Sequence, residues 1–324
     1  MRCRKNYRDL TPTERDRFVQ ALHHVKAAGI VDQYASEHES HFNHGIHRSS
    51  HFLPWHREFI RRFEDALRTY HPDVTLPYWN SVADQSPSDP LWDNAFLGQF
   101  DSAWGLGRAL GSDTLPSESD MNGSLGLGTY DAFWPDLESD LHNPPHRWVG
   151  GEMSQRDSPH DPVFFLHHCW IDLLWVQWQL AHPGAPFVSS GAGLGLNDPL
   201  MEWPDRTPAD VLDHHGLGYT YDIEVGFGNL ADGRPLWAGN FSRSDRAEML
   251  FYYPGDDNWW LGTHDGARFN WTLAGNTANF GHGIADGREV TPVARSDVTE
   301  DSLAAGEADA NLQRRTACTD ERLV

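Results

Sequence analysis

Two stretches of this chain, His51-Phe-Leu-Pro-Trp-His56 and Asp161-Pro-Val-Phe-Phe-Leu-His-His168, set histidines among apolar and aromatic residues. Each belongs to a dense cluster, with six histidines from His38 to His56 and five from His142 to His168. A buried imidazole needs a partner, and neutral imidazole is the commonest protein ligand for late first-row metals. The two clusters therefore predict two metal ions in the interior.

Helices are predicted on both sides of these clusters. Thr11-Pro12-Thr13-Glu14 has the form of a capping box with proline in the first turn, and apolar residues follow at helical spacing. Asp161-Pro162 starts another helix, which is apolar on most faces, so we expect it at the centre of the fold. The predicted helices cover about residues 12–28, 31–42, Trp55 onward, 136–148 and 162–180.

The rest of the chain is less helical. Residues 81–130 are rich in Gly, Ser, Asp and Pro, which predicts long irregular connections. Beyond Tyr221 short aromatic runs look like strands, and the segment 227–234 recurs at 280–288, as in the blades of propeller proteins. We therefore predict a helical domain at 1–222, a β-rich, propeller-blade-like module at 223–294 and a loosely held tail at 295–324.

Composition limits the class of protein and its partners. Fourteen Trp and sixteen Phe residues indicate a globular protein, and no apolar stretch reaches the roughly 20 residues that span a bilayer. The formal charge of −22 disfavours nucleic acid and anionic membranes, which need a basic surface. The first residues show no signal peptide, and three cysteines cannot form a disulfide framework. We expect a protein that is cytoplasmic, or exported through a partner.

Spacing restricts which histidines share an ion. His142 and His146 are four residues apart on a predicted helix, so their side chains project from one face. His168, on the next helix, is the natural third ligand. The first cluster offers its own set: His47, His56 and either His41 or His38.

Longer motifs around these histidines resemble the two copper sites of tyrosinases and related polyphenol oxidases, in particular the bacterial ones. The first motif begins His47-Arg-Ser-Ser-His-Phe-Leu-Pro-Trp-His56 and continues at Phe63-Glu-Asp-Ala-Leu67 and Leu76-Pro-Tyr-Trp79. The second consists of Leu141-His-Asn-Pro-Pro-His146-Arg-Trp-Val-Gly-Gly151 and Ser158-Pro-His-Asp-Pro-Val-Phe-Phe-Leu-His-His168. The resemblance covers about residues 1–222.

This resemblance implies a mainly α fold, in which a four-helix bundle with long loops holds a type-3 dicopper centre that binds dioxygen. We choose His41 as the first ligand because it follows Tyr34 by seven residues, as the family's first ligand follows its tyrosine. His38 and His44 are the competitors. The implied ligands are His41, His47 and His56 for one copper ion and His142, His146 and His168 for the other.

The resemblance also implies residues that act on the substrate. A monophenol must lose its proton before its oxygen coordinates copper. Glu138 and Asn143 match the pair that holds a proton-accepting water in monophenol-active relatives. Arg156 lies where relatives place a small gate residue, and Arg147 directly follows a ligand, so both arginines are expected to line the substrate site.

The implied function is oxidation of catechols, and of monophenols, to o-quinones with reduction of dioxygen to water. The alternatives are an o-aminophenol oxidase, a hemocyanin-like oxygen carrier without turnover, and a histidine-bound zinc hydrolase. The expected partner is a small phenol; a copper-delivery protein and a homo-oligomer are compatible with the sequence. As in latent relatives, the C-terminal module is a candidate lid.

Overall fold

The computed structural model describes residues 2–191 and 194–223 and four strands within 236–276, and the chain divides into two compact units, Met1–Gly226 and Phe227–Val324. The first unit is mainly helical, as predicted. Its helices are α1 (Pro12–Ala27), α2 (Ile30–His41), α3 (Phe52–Arg68), α4 (Gly98–Trp104), α5 (Glu118–Leu125), α6 (Tyr130–Asp136), α7 (Asn143–Val149), α8 (Val163–Ala181) and α9 (Pro208–Val211).

The first helix, α1, begins as the sequence predicts. The Thr11 hydroxyl accepts from the Glu14 N–H at 3.2 Å, and the Glu14 carboxylate accepts from the Thr11 N–H at 2.8 Å. These bonds satisfy two N–H groups that have no partner within the helix. The chain then turns at Gly29, whose φ of 75° is a left-handed conformation that glycine adopts without steric cost, and α2 begins.

The helices α3 and α8 pack against each other at the centre of the unit. Every residue of α8 from Val163 to Val176 is buried, as its apolar sequence predicts. Phe63 of α3 stacks on Phe165 of α8 with ring centroids 3.5 Å apart. Burial of one such ring stabilises the fold by about 1.5–3 kcal/mol, so this contact fixes the two helices that carry His56 and His168.

The start of α3 differs slightly from the prediction. The helix begins at Phe52 and not near Trp55. Pro54 does not prevent this, because it lies in the first turn, where N–H groups have no partner within the helix.

Residues 136–148 do not form the single helix that the sequence predicts. The helix α6 ends at Asp136, the residues Leu137–His142 form one π-helical turn, and α7 begins at Asn143, whose N–H donates to the Glu138 carbonyl. Prolines at positions 144 and 145 lack N–H donors, so a regular α-helical ladder cannot run through them. Such π turns occur often at functional sites, and this one carries both a predicted ligand and a predicted catalytic residue.

The segment 81–130 contains more helix than its composition predicts. It includes α4 and α5 between irregular connections. The helix α5 begins with a capping box, in which the Ser117 N–H donates to the Asp120 carboxylate at 2.8 Å and the Asp120 N–H donates to the Ser117 hydroxyl at 3.2 Å. Serine and aspartate here start a helix, whereas the composition of the whole segment indicated loops.

Four charged side chains are buried together beside α3 and α8. The strand β1 (Arg2–Arg4) pairs in parallel with β2 (Tyr219–Tyr221) and brings Arg4 against Glu64 at 3.1 Å and Asp172 at 3.4 Å. Arg57 donates to the same Asp172 at 2.5 Å. All four side chains are buried. We call them the buried charge cluster: two guanidinium groups balance two carboxylates and join α3 to α8.

The second unit contains a four-stranded antiparallel sheet, which confirms a β-rich C-terminal module. Its strands, each paired with the next, are β3 (Leu236–Gly239), β4 (Glu248–Tyr253), β5 (Asn258–His264) and β6 (Phe269–Asn276). On one face the Trp259 ring lies 5.5 Å from the Trp237 ring and 4.9 Å from the Tyr252 ring. The predicted repeat at 227–234 and 280–288 and the tail at 295–324 lie outside the described residues. The lid hypothesis stays a prediction.

None of the helices in the described part of the chain combines the length and the apolar character needed to cross a membrane.

Candidate metal centre

Three histidines from three segments form a first group. His38 lies on α2, His47 in the loop that follows, and His56 on α3, and one ring nitrogen of each lies within 4.8 Å of the others. The centroid of the His38 ring is 5.1 Å from that of His47 and 5.6 Å from that of His56. His38 and His56 are buried, and His47 is half-buried. The three rings can hold one metal ion.

Helix periodicity explains why His38 is buried. It continues the buried positions Val31, Tyr34 and Ala35 at the spacing of one helix face. The Tyr34 ring packs on Phe59 of α3, with centroids 5.0 Å apart. The contact between α2 and α3 therefore aims His38 at His56.

The structure corrects the ligand predicted on α2. His41 is the last residue of this helix, and its Nε2 lies 2.8 Å from a carboxylate oxygen of Glu202, away from the group. His44 is exposed, and its Nδ1 donates to a backbone carbonyl at 2.9 Å. His41 lies outside the group because of its position along the axis of α2. It is three residues beyond His38, which is about 4.5 Å further along the axis, and only His38 lies at the height of His56.

The second group contains the three histidines predicted for it. His142 ends the π turn, His146 lies on α7 and His168 on α8. The Nε2 atom of His142 is 3.1 Å from that of His146 and 3.3 Å from that of His168. Two ligands of a four-coordinate ion, each about 2.0 Å from the metal, are about 3.3 Å apart. The spacing therefore fits one metal ion.

Carbonyl oxygens select the tautomer of several rings. His38 Nδ1 donates to the Arg156 carbonyl at 2.6 Å. His146 Nδ1 donates to the Met153 carbonyl at 2.7 Å, and His56 Nδ1 donates to a carbonyl one turn earlier at 2.8 Å. Because a carbonyl oxygen only accepts, Nδ1 carries the proton and Nε2 presents a lone pair to a metal.

The opposite ring nitrogens support metal binding. Nε2 of His38 and Nε2 of His56 are buried and have no hydrogen-bond partner in the described part of the chain, and an unpaired buried polar atom costs about 1–3 kcal/mol. Burial lowers the pKa of His38 to about 3 and that of His146 to about 4. The rings are therefore neutral at pH 7, which is the form that binds metals. The residues present fit two copper ions.

The two groups adjoin each other. The rings of His56 and His168 stack with centroids 4.4 Å apart, and those of His47 and His142 are 5.9 Å apart. Phe164 lies between the groups, 4.0 Å from His168 and 5.2 Å from His38 by ring centroids. Phe164 was not among the predicted site residues, although its position four residues before His168 places both on one face of α8. Both ions would thus share one pocket with an aromatic wall.

Two residues predicted to act on the substrate lie beside these groups. Both carboxylate oxygens of Glu138 accept from the Arg48 N–H at 3.0 Å, a contact that no sequence pattern predicts. Burial raises the pKa of Glu138 to about 7, although the bonds to Arg48 oppose this shift. Asn143 places its side-chain oxygen 3.1 Å from His142 Nδ1, so it orients that ring.

The two predicted arginines differ in their partners. Arg147 donates from Nε to the Asp113 carboxylate, which compensates its charge. Arg156 is exposed, its guanidinium carbon lies 5.6 Å from the centre of the Phe42 ring, and the Phe42 ring is 4.7 Å from that of His47. No carboxylate of the described residues pairs with Arg156. Its charge is therefore available near the first group.

Comparisons with known proteins agree with this geometry. The family model for the common central domain of tyrosinase matches residues 21–114 and 113–181 of this chain. The chain is 36% identical over 274 residues to a tyrosinase of Streptomyces antibioticus. The aligned region covers 69% of this chain and 100% of that protein. It is 31% identical over 308 residues to grixazone synthase of Streptomyces griseus, which covers 68% of this chain and 98% of that protein.

Solved structures share the fold. The functional unit of octopus hemocyanin matches with a TM-score of 0.54 at 22% identity, over 85% of this chain and 82% of that one. A tyrosinase from Burkholderia thailandensis matches with a TM-score of 0.52 at 16% identity, over 84% of this chain and 86% of that one.

A helical core with two adjoining groups of three histidines is the architecture of a type-3 copper protein. Within that class the chain belongs to the tyrosinase family. It is a tyrosinase-type copper oxidoreductase that uses two copper ions and dioxygen.

Proposed function

We propose that this enzyme converts catechols and monophenols to o-quinones and reduces dioxygen to water. The main support is the pair of adjoining histidine groups, together with the buried Glu138 carboxylate, which accepts from the N–H of the residue that follows His47. Similarity to proteins named tyrosinase over their whole length favours turnover over reversible oxygen carriage. Two catechols and one dioxygen give two o-quinones and two waters, whereas one monophenol and one dioxygen give one o-quinone and one water.

The protein holds the ligands and shapes the site. Copper, when bound, supplies the redox chemistry that takes up dioxygen and accepts the electrons of the phenol. The rings of Phe52 and Phe164 lie 4.9 Å from His142 and 4.0 Å from His168, and they exclude water from one side. The proposed ligands are His38, His47 and His56 for one ion and His142, His146 and His168 for the other.

Glu138 is the proposed acceptor of the phenol proton, directly or through a water that Asn143 also holds. A carboxylate whose pKa is about 7 can accept a proton at neutral pH and release it again in the same turnover. An ordinary exposed carboxylate would be a weaker base.

Oxygen uptake by the copper-loaded protein on tyrosine, a catechol and an o-aminophenol, with metal analysis of the same sample, tests the proposed function. We expect two coppers per chain and turnover of the first two substrates. Turnover of the o-aminophenol alone would identify an o-aminophenol oxidase. Oxygen binding without turnover would identify a carrier, and zinc without any oxygen-dependent colour would identify a hydrolase.

The substitution Glu138→Gln tests the proton acceptor. We expect the kcat for monophenols to fall on the order of 100-fold and that for catechols to fall much less, because loss of a general base removes about this factor. Asp140→Asn is the matched control, since Asp140 lies in the same π turn but is exposed. Equal losses on both substrates would remove Glu138 from this role.

The substitution Arg156→Val tests the gate. We expect kcat/KM for a carboxylated catechol to fall roughly threefold to fivefold relative to an uncharged catechol, since one exposed charge pair is lost. Arg147→Val should change this ratio less, because Asp113 already compensates Arg147. Unchanged selectivity in Arg156→Val would exclude Arg156 from the substrate site.

We further propose that the protein is exported with a partner that also delivers copper. Cys3 is disulfide-bonded, and disulfides persist in oxidising compartments, which favours export over a cytoplasmic location. Fractionation of cells that express the full chain, with mass measurement before and after reduction, tests this proposal. A reduced protein confined to the cytoplasm would contradict it.

A further inference from the structure

We propose that a left-handed backbone turn at Arg48, held by the chain around Gly191, positions the Glu138 carboxylate for proton transfer from a monophenol. The inference rests on the proposed function of Glu138. It adds two positioning residues, Arg48 and Gly191, which act through that carboxylate and not on the substrate.

Arg48 has an unfavourable backbone conformation. Its φ is 55°, and Glu202 is the only other non-glycine residue in the described part of the chain with a positive φ. In this region the Cβ of an L-residue crowds its own backbone. Such conformations persist only where the surroundings fix them, and they cluster at functional sites. Arg48 directly follows His47, a proposed copper ligand.

The turn directs a backbone N–H at a buried carboxylate. The Arg48 N–H lies 3.0 Å from each oxygen of Glu138, which is 7% exposed and has no other donor among the described residues. The peptide that carries this N–H joins His47 to Arg48. With the His47 ring packed 4.7 Å from the Phe42 ring and the following chain held by hydrogen bonds, φ of Arg48 fixes the direction of the N–H. The backbone, and not a side chain, orients Glu138.

Gly191 packs directly on this turn. A Cβ at Gly191 would lie 2.3 Å from the Arg48 carbonyl oxygen and 2.8 Å from Ser49 Cα, and backbone atoms cannot move aside as a side chain can. Gly191 itself has a φ of 71°. The backbones at Gly191 and Arg48 are therefore in direct contact, and only glycine fits at position 191.

Hydrogen bonds hold the chain that follows the turn. The Ser50 N–H donates to the Ser190 carbonyl at 3.0 Å, and the Ser50 hydroxyl donates to the Leu194 carbonyl at 2.6 Å. His51 Nε2 donates to the next carbonyl of the same segment at 2.8 Å. With His47 fixed before the turn and these bonds after it, the strained φ cannot relax unless one of these contacts breaks.

The variants Arg48→Gly and Arg48→Val form a matched pair that tests the turn. Both remove the guanidinium and keep the N–H, but glycine accepts the left-handed conformation and β-branched valine resists it. We expect the ratio of monophenol kcat to catechol kcat to be roughly tenfold lower in the valine variant, with similar KM values for catechol in both. Equal ratios would overturn the proposal.

The metal-free protein provides a readout that does not depend on activity. We expect hydrogen exchange of the residue 48 amide, corrected for its intrinsic rate, to be slower in Arg48→Gly than in Arg48→Val. Gly191→Ala should speed exchange at the same amide. If Arg48→Val does not fold, Arg48→Ala takes its place. A residue 48 amide that exchanges as fast as an exposed loop amide in the unchanged protein would overturn the proposal.

Glu138→Gln separates this proposal from the one on which it rests. If Glu138→Gln leaves the ratio of monophenol to catechol turnover unchanged, the proposed role of Glu138 fails. If it lowers the ratio while the two Arg48 variants have equal ratios, only the positioning role of the turn fails.

Discussion

Replacement of His38 by alanine is expected to remove one copper ion per chain and to reduce turnover of every phenol by more than about 100-fold. Loss of a hydrogen-bond partner of a ligand already costs 10-fold to 100-fold in metal affinity or activity, so loss of the ligand itself should cost more. His38 supplies one of only three ring nitrogens in its group. Its Nε2 is buried and has no hydrogen-bond partner among the described residues. Metal analysis and oxygen uptake on the same sample measure both effects.

His41→Ala is the matched control on the same helix. Its ring faces Glu202 and lies outside the group, so we expect two bound coppers and nearly unchanged turnover. The reverse result, in which His41→Ala loses copper and His38→Ala retains it, would restore the ligand chosen from the sequence. Thermal unfolding of both metal-free variants shows whether either substitution disturbs the fold itself.

Replacement of Asp172 by asparagine is expected to lower the free energy of unfolding by about 3–5 kcal/mol, because it leaves a buried guanidinium charge without its partner. Asp172 accepts from Arg57 at 2.5 Å and from the hydroxyls of Tyr219 and Tyr221 at 2.7 and 2.6 Å. Asparagine has nearly the same volume, so the change isolates charge from packing. Urea unfolding of the metal-free protein measures the effect.

Asp73→Asn is the control for this substitution, because Asp73 pairs with Arg17 on the surface with its side chain 80% exposed. We expect a change of less than about 1 kcal/mol there. A similarly small change in Asp172→Asn would show that the buried charge cluster contributes little to stability.

The buried charge cluster also predicts how stability depends on pH. Burial alone would raise the pKa of Asp172, but the guanidinium groups of Arg57 and Arg4 hold it below its ordinary value. A carboxyl with a lowered pKa in the folded state stabilises the protein above its ordinary pKa, and this stabilisation is lost as the pH falls below that value. Asp172→Asn should therefore be less sensitive to acid than the unchanged protein.

The sequence predicts well where local patterns are sufficient. Thr11 and Glu14 correctly predict the start of α1, and the apolar residues from Val163 to Val176 correctly predict a buried central helix. The prediction fails between Asp136 and Asn143, where a π turn replaces regular helix. Hydrophobic periodicity cannot distinguish a π turn from a regular α-helix here. A π turn adds only one residue to one turn, so the spacing of the apolar residues changes little.

The sequence by itself determined the kind of chemistry this protein performs. Histidines in apolar frames must find partners when buried, and the spacing of His142 and His146 lets two rings bind one ion. Only the tertiary structure decided between His38 and His41, and only it brought Arg48 to Glu138. The first depends on how α2 is positioned along its axis relative to α3, and the second on a contact between residues that are distant in the sequence. The spacing of residues along the chain determines neither.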